Sequence, residues 1–256
     1  FGEAPVLIQN TAPVVSSVTI TPNSNVYNDT VLTCSATVSD PDETLAASYE
    51  WQLGGVTVGS TSVLDLSTLS VFPGDMISCV ASATDSEGES ASGSASVSID
   101  NRLPVVDAIS LSPNVVYTND TMTATATFSD DDGQSVSGNY SWHVVDAGTG
   151  VDSEVQNGLD HTLSGVIHFN KGDVVYVTVT PTDGMNDGSP LSSILQPISN
   201  SAPGAASISI SPDPATMGQD LTCSVDVEAV DDDGDSLVYS YEWTDPNGVM
   251  QQSTTQ

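Results

Sequence analysis

Asn10-Thr-Ala-Pro-Val-Val-Ser-Ser-Val-Thr-Ile-Thr-Pro22 recurs as Asn101-Arg-Leu-Pro-Val-Val-Asp-Ala-Ile-Ser-Leu-Ser-Pro113. It returns a third time as Asn200-Ser-Ala-Pro-Gly-Ala-Ala-Ser-Ile-Ser-Ile-Ser-Pro212. Self-similarity at the spacing of a small domain marks a repeat architecture. The same landmarks follow in each copy. An alternating apolar strand comes first: Leu32, Cys34, Ala36, Val38; Met122, Ala124, Ala126, Phe128; Leu221, Cys223, Val225, Val227. An acidic turn and a Tyr-x-Trp strand come next, with Trp51, Trp142 and Trp243 as expected core aromatics. Gly74-Asp75 or Gly172-Asp173 then opens a second alternating strand, through Ile77, Cys79, Ala81 and Ala83 or through Val175, Val177 and Val179. Period-two alternation puts one face in a core and the other in water, as two packed antiparallel sheets require. No helical period competes, so the chain reads as all-β.

Ala4, Val6, Ile8 and Asn10 align with Ala95, Val97, Ile99 and Asn101, the closing strand of the first full copy. The expected partition is therefore 1–10, the closing strand of a preceding domain; 11–101; 102–200; and 201–256, the first half of a further domain. Two explanations stand side by side. The chain is a window on a longer tandem protein, or it is a subunit whose incomplete domains are finished by neighbours through strand donation.

The chain has 256 residues, 34 Asp and Glu against two Lys and Arg, and a formal charge of −32. Charged residues total only 14%, below the roughly 25% of average proteins, so what is missing is base. Arg102 and Lys171 are the only fixed positive side chains. Such a balance argues against nucleic-acid binding, which relies on Lys and Arg, and against docking on anionic membranes. No apolar run reaches the length of a membrane span, so direct membrane insertion is not expected.

Cys34 and Cys79 fall on the two alternating strands of the first copy with Trp51 between them. In this the chain resembles the immunoglobulin-like superfamily. More narrowly it is similar to the tandem Ig-like, PKD-like and cadherin-like repeats of large bacterial or archaeal cell-surface proteins. Val38-Ser-Asp-Pro-Asp42 followed by Tyr49-Glu-Trp51, and Val230-Asp-Asp-Asp-Gly-Asp235 followed by Tyr241-Glu-Trp243, carry that likeness. The resemblance implies tandem Ig-like antiparallel β-sandwich domains and a Cys34–Cys79 inter-sheet disulfide, hence an oxidising, extracellular or cell-surface setting. Ala124 and Val177 replace the cysteines in the second copy, and Ile77 stands where an antibody-type tyrosine corner would need Tyr. Cys223 matches Cys34, and its expected partner would lie beyond residue 256; a free or intersubunit thiol is the alternative.

The resemblance also places the two acidic turns of each copy at one end, beside the preceding linker. The first group comprises Asp40, Asp42 and Glu43; Asp130, Asp131 and Asp132; and Asp231, Asp232, Asp233 and Asp235. The second comprises Asp85 and Glu87, and Asp183 and Asp187. Converging carboxylates repel. With no Lys or Arg expected nearby, Ca2+, which takes oxygen ligands, is the natural cofactor, and the third-copy group is the first choice. The competing reading is that Asp and Gly are good turn formers with solvated charges. The third-copy loop lacks the Gly and Glu positions of an EF-hand.

Asn28-Asp-Thr30, Asn119-Asp-Thr121 and Asn139-Tyr-Ser141 match the N-glycosylation pattern, though turn chemistry explains the first two. His143, His161 and His168 show no metal spacing, and no nucleophile elbow, phosphate loop or HExxH is present, so no enzyme is expected. The expected function is structural: part of an extracellular microbial surface fibre, stalk or filament. Its partners would be copies of itself or adjacent repeats of the same long chain. The alternative is an adhesin, or polysaccharide-binding accessory repeats that meet glycans or other cell-surface components.

Overall fold

The computed structural model describes Leu7, residues 9–245 and residues 247–255, with side chains described through Met250. The first copy contributes β1 (Val14–Thr21), β2 (Val31–Ser39), β3 (Ser48–Leu53), β4 (Val56–Gly59), β5 (Val63–Asp65), β6 (Met76–Thr84) and β7 (Ser90–Ser98). They form two sheets in the orders β1-β2-β5 and β4-β3-β6-β7, every pairing antiparallel. Alternation does what the sequence pattern requires: Ile77, Cys79, Ala81 and Ala83 point inward along β6 while Met76 and Ser78 do not. The core gathers Ile20, Val26, Leu32, Leu66, Val71 and Ile77 around Trp51, which is fully buried. The Trp51 indole N–H donates to the Thr61 carbonyl at 2.8 Å, so its burial leaves no polar group unpaired.

The second copy repeats this plan with β8 (Val105–Ser112), β9 (Val116–Tyr117), β10 (Thr121–Ser129), β11 (Ser137–Val145), β12 (Asp152–Gly158), β13 (Thr162–Ser164), β14 (Val174–Thr182), β15 (Leu191–Ser192) and β16 (Gln196–Ser199). The sheets run β13-β10-β8 and β12-β11-β14-β16-β9, with β15 beside β14. The β13–β10, β12–β11, β11–β14 and β14–β16 pairings are antiparallel, and the two-residue pairing of β16 with β9 is parallel. Trp142 is again fully buried, with Phe169, Met122, Leu163 and Val177 among its core neighbours. Both copies therefore fold as Ig-like sandwiches, and the first X-Pro bond after the opening strand is cis in all three copies, at Pro22, Pro113 and Pro212.

The third copy supplies β17 (Ser207–Ser211), β18 (Thr222–Val227), β19 (Ser240–Thr244) and β20 (Met250–Thr255), as two two-stranded sheets. A cleft of about 170 Å³ remains between their apolar faces, lined by Ile208, Ile210, Cys223, Val225 and Trp243 among others. Here the expectation of a buried core tryptophan is corrected: Trp243 is half-buried, and Ile208 is 61% exposed. Two paired strands on each side do not enclose an indole the way a closed sandwich does.

By compactness the chain divides into two units. One holds the chain as far as Pro104 together with Ser129–Val136 and Asp183–Asp187; the other holds Val105–Phe128, Ser137–Thr182 and the chain from Gly188 on. The acidic turns of the second copy thus belong with the first unit.

Candidate metal and linker sites in the acidic turns

Each acidic turn is built around its first aspartate. Asp40 Oδ1 accepts the N–H groups of Asp42 and Glu43 at 2.7 and 3.1 Å. Asp130 Oδ1 accepts those of Asp132 and Gln134 at 2.8 and 3.4 Å. Asp231 Oδ1 accepts those of Asp233 and Asp235 at 2.9 and 3.4 Å. Aspartate satisfying peptide donors two residues on is ordinary turn chemistry. Gly133 and Gly234 take φ of 75° and 74°, a left-handed conformation that favours glycine.

The aspartate at the third position of each turn then reaches the linker. Asp42 Oδ2 accepts the Thr11 N–H at 2.8 Å, Asp132 Oδ2 the Arg102 N–H at 2.5 Å, and Asp233 Oδ2 the Ser201 N–H at 2.5 Å. The asparagine just before serves the other turn: Asn10 Nδ2 donates to Asp85 Oδ2 at 2.8 Å, and Asn101 Nδ2 to Asp183 Oδ2 at 2.8 Å. In the third copy Asn200 Nδ2 instead donates to the Ser201 carbonyl at 2.5 Å. Asp85 is buried, and the Asn10 amide holds its carboxyl below the ordinary value, outweighing desolvation. At Asp183 desolvation pushes upward, but the Asn101 amide and the N–H groups of Asn186 and Met185 together win, and the net shift is downward. Asn10 and Asn101 were visible in the sequence as repeat markers, yet nothing local identified them as partners of an aspartate some 75 to 82 residues away.

The three groups differ in how their charge is met. Glu43, Asp85 and Glu87 bring one carboxylate oxygen each within 4.8 Å of the others. Glu43 also accepts the Ser86 N–H at 2.7 Å, and Glu87 the Ser86 hydroxyl at 2.7 Å. Among the described residues, no basic side chain forms an ion pair with this group. The second group departs from the expectation that no Lys or Arg lies nearby. Asp132, 3% exposed, accepts Arg102 Nη1 at 3.0 Å, and Asp29 accepts Arg102 Nη2 at 2.5 Å. Asp187 is exposed. In the third group Asp231, Asp233 and Asp235 also converge within 4.8 Å. Lys171 Nζ lies 2.5 Å from Asp235 Oδ1, and that hydrogen bond raises the Lys171 pKa with help from the charges of Asp233 and Asp231. Asp232 is exposed. The two cations of the chain thus both settle on acidic turns, because the fold brings distant linker and loop residues to them.

The Cys34–Cys79 disulfide joins β2 to β6 across the first core, with Cα atoms 6.4 Å apart, and Cys223 is a free thiol lining the third-copy cleft. One polar cluster had no sequence signal. On the outer face of β11, Ser141 Oγ lies 3.0 Å from His143 Nε2, and His143 Nδ1 lies 3.2 Å from Asp152 Oδ1. These distances match a nucleophile, base and acid relay. Yet the Ser141 hydroxyl donates to Glu154 at 2.5 Å, and β11 is paired on both sides. Tyr176 stacks on His143 and donates to Asp152, which pushes the phenol up to about 12. The cluster reads as cross-strand hydrogen bonding on a sheet face.

No family model matches the chain, and no curated protein does. Among solved structures it is similar to a two-domain fibronectin type III segment of chicken tenascin, at 14% identity over 71% of this chain and 98% of that one, TM-score 0.36. It is also similar to three N-terminal domains of the outer capsid protein Hoc of bacteriophage RB49, at 13% identity over 73% and 70%, TM-score 0.32. A Ca2+-stabilised adhesin with which an Antarctic bacterium binds ice matches at 14% identity over 96% and 73%, TM-score 0.27. In its own sheet order and buried Cys–Trp–Cys core, this chain is a tandem Ig-like β-sandwich protein.

Proposed function

We propose that the chain is a non-enzymatic segment of an extracellular microbial surface fibre, stalk or filament, with domains at 11–101, 102–200 and 201–256 and a closing strand at 1–10. The observation that carries this reading is the repeated linker device. The same asparagine-plus-N–H pair meets two acidic turns at Asn10–Thr11 and at Asn101–Arg102. A chain that commits the same polar pair at two successive linkers is built to hold modules in series. The disulfide supports an oxidising compartment, and the partners are adjacent repeats or further copies. Electron microscopy of the native material tests it: fibres with a sandwich-sized repeat are expected, and isolated particles would sink it.

Within this reading Ca2+ belongs at Glu43, Asp85 and Glu87 rather than in the third group. These are hard oxygen donors with no basic partner among the described residues, whereas Lys171 already answers the third group. An ion there would offset two of the three negative charges gathered at one linker. At a hundredfold excess over Kd, calcium adds about 2.7 kcal/mol to the state that binds it. Thermal unfolding with calcium and with chelator should therefore differ, and Glu87→Gln should shrink the difference. Identical curves would remove calcium and leave the structural reading standing.

The stacked His143–Tyr176 pair, flanked by Asp152 and Glu154, favours a second reading in which the second domain binds polysaccharide. Retention on a glycan array, lost in Tyr176→Ala, would support it.

A further inference from the structure

Arg102 is the residue the repeat does not predict. Its equivalents are Thr11 and Ser201, whose peptide N–H groups meet the acidic turn and whose short side chains carry no charge. Arg102 makes that bond and adds a side chain. Its Nη1 donates to Asp132 Oδ1 at 3.0 Å and to Asn28 Oδ1 at 3.0 Å, with the Asp131 carbonyl at 3.5 Å. Its Nη2 donates to Asp29 Oδ1 at 2.5 Å, and its planar face lies 4.2 Å from the centre of the Tyr27 ring. One guanidinium is thus ringed by four oxygens from two turns, with an aromatic face beneath it. The Asp132 side chain is fully buried and that of Arg102 is 21% exposed. An oxygen set of this kind resembles the first shell of a hard cation, and here a delocalised, always-charged side chain sits inside it.

We propose that the Arg102 guanidinium is the resident cation of the second acidic group, holding Ser129–Val136 within the first compact unit without dissolved metal and closing that group to any ion. The three groups then meet their charge in three ways: Arg102 from the linker, Lys171 from the Asn170–Asp173 turn, and at the first group, among the described residues, no side-chain cation. The inference does not depend on calcium at the first group, because the two can be read at different amides.

Hydrogen exchange on the whole chain tests it, at the Asp132 and Gly133 amides for the second group and at Gly88 and Glu89 for the first. In the wild type, exchange at Asp132 and Gly133 should be the same in chelator and in millimolar calcium. Arg102→Gln should exchange there faster, on the order of tenfold, the scale of a lost charged hydrogen bond. Calcium should restore protection in that variant, and Arg102→Lys should fall between. Chelator-sensitive exchange in the wild type would overturn the proposal, since metal would then hold the turn. Wild-type rates in Arg102→Gln would overturn it as well. Faster exchange that calcium leaves unchanged would overturn the equivalence with a metal ion. If Arg102→Gln does not fold, Asp29→Asn removes only the exposed partner, and the chelator comparison on the wild type remains decisive.

Discussion

The first two sandwiches close the same core by different means. In the first, Cys34 and Cys79 bond covalently across it, with Leu66 and Val71 packed nearby. In the second, Ala124 and Val177 stand in the cysteine positions and both are buried. A second exchange accompanies that one. Gly165 takes the place of Leu66, its N–H meeting the Asp120 carbonyl as that of Leu66 meets Thr30, and Phe169 takes the place of Val71. A Cβ on Gly165 would lie 2.5 Å from the Phe169 ring, so the glycine is the space that the ring fills. One core is stapled and filled by aliphatic groups, and the other is filled by an aromatic ring with no staple. The fold tolerates both because volume and patterning, more than residue identity, decide whether a core closes.

Removing the staple is the hardest test of that comparison. Cys34→Ala/Cys79→Ala should destabilise the first sandwich by about 4 kcal/mol, from a sequence separation of 45 residues in the chain-entropy account. Calorimetry should show one transition falling and the transition of the second sandwich unmoved. Loss of both together would mean that the two cores are not independent. Gly165→Ala comes next, at about 1–3 kcal/mol for overpacking in the second sandwich alone. Gly165→Leu with Phe169→Val installs the pattern of the first core and should recover much of the loss of Gly165→Leu. If the double variant is merely additive, the exchange is not a volume swap.

The smallest effect concerns acid. Asp85, Asp183 and Asp233 have carboxyls held below the ordinary 3.8. A depressed value means that the folded state binds fewer protons than the unfolded one. The contribution is therefore complete above about pH 4 and fades as pH falls through the lower folded values. The Ser201 linker amide, which donates to Asp233, should lose protection from exchange in that range. Asn10→Ala should move the Asp85 titration upward, and that of Asp183 should stay in place. Movement of both would mean the two linkers are coupled.

Much of this was legible in one dimension. Strand alternation is local, so Leu32 and Cys34, or Val175 and Val177, declared their inward face from spacing alone, and the repeats placed Trp51 and Trp142 in cores. Turn carboxylates announced themselves through Asp and Gly. Their partners did not, because an aspartate of one turn is answered by a linker amide or a cation that only chain closure brings near. Arg102 and Lys171 looked like isolated exceptions in an acidic chain and prove to be the counter-ions of two of its three acidic groups. Trp243 has the same local pattern as Trp51 and lacks the same burial, since burial depends on strands packed over it rather than on its own neighbours in sequence. The sequence by itself determined the periodicity, the repeat and the residues able to pair. The tertiary structure decided which charges meet, because that depends on distances no local pattern encodes.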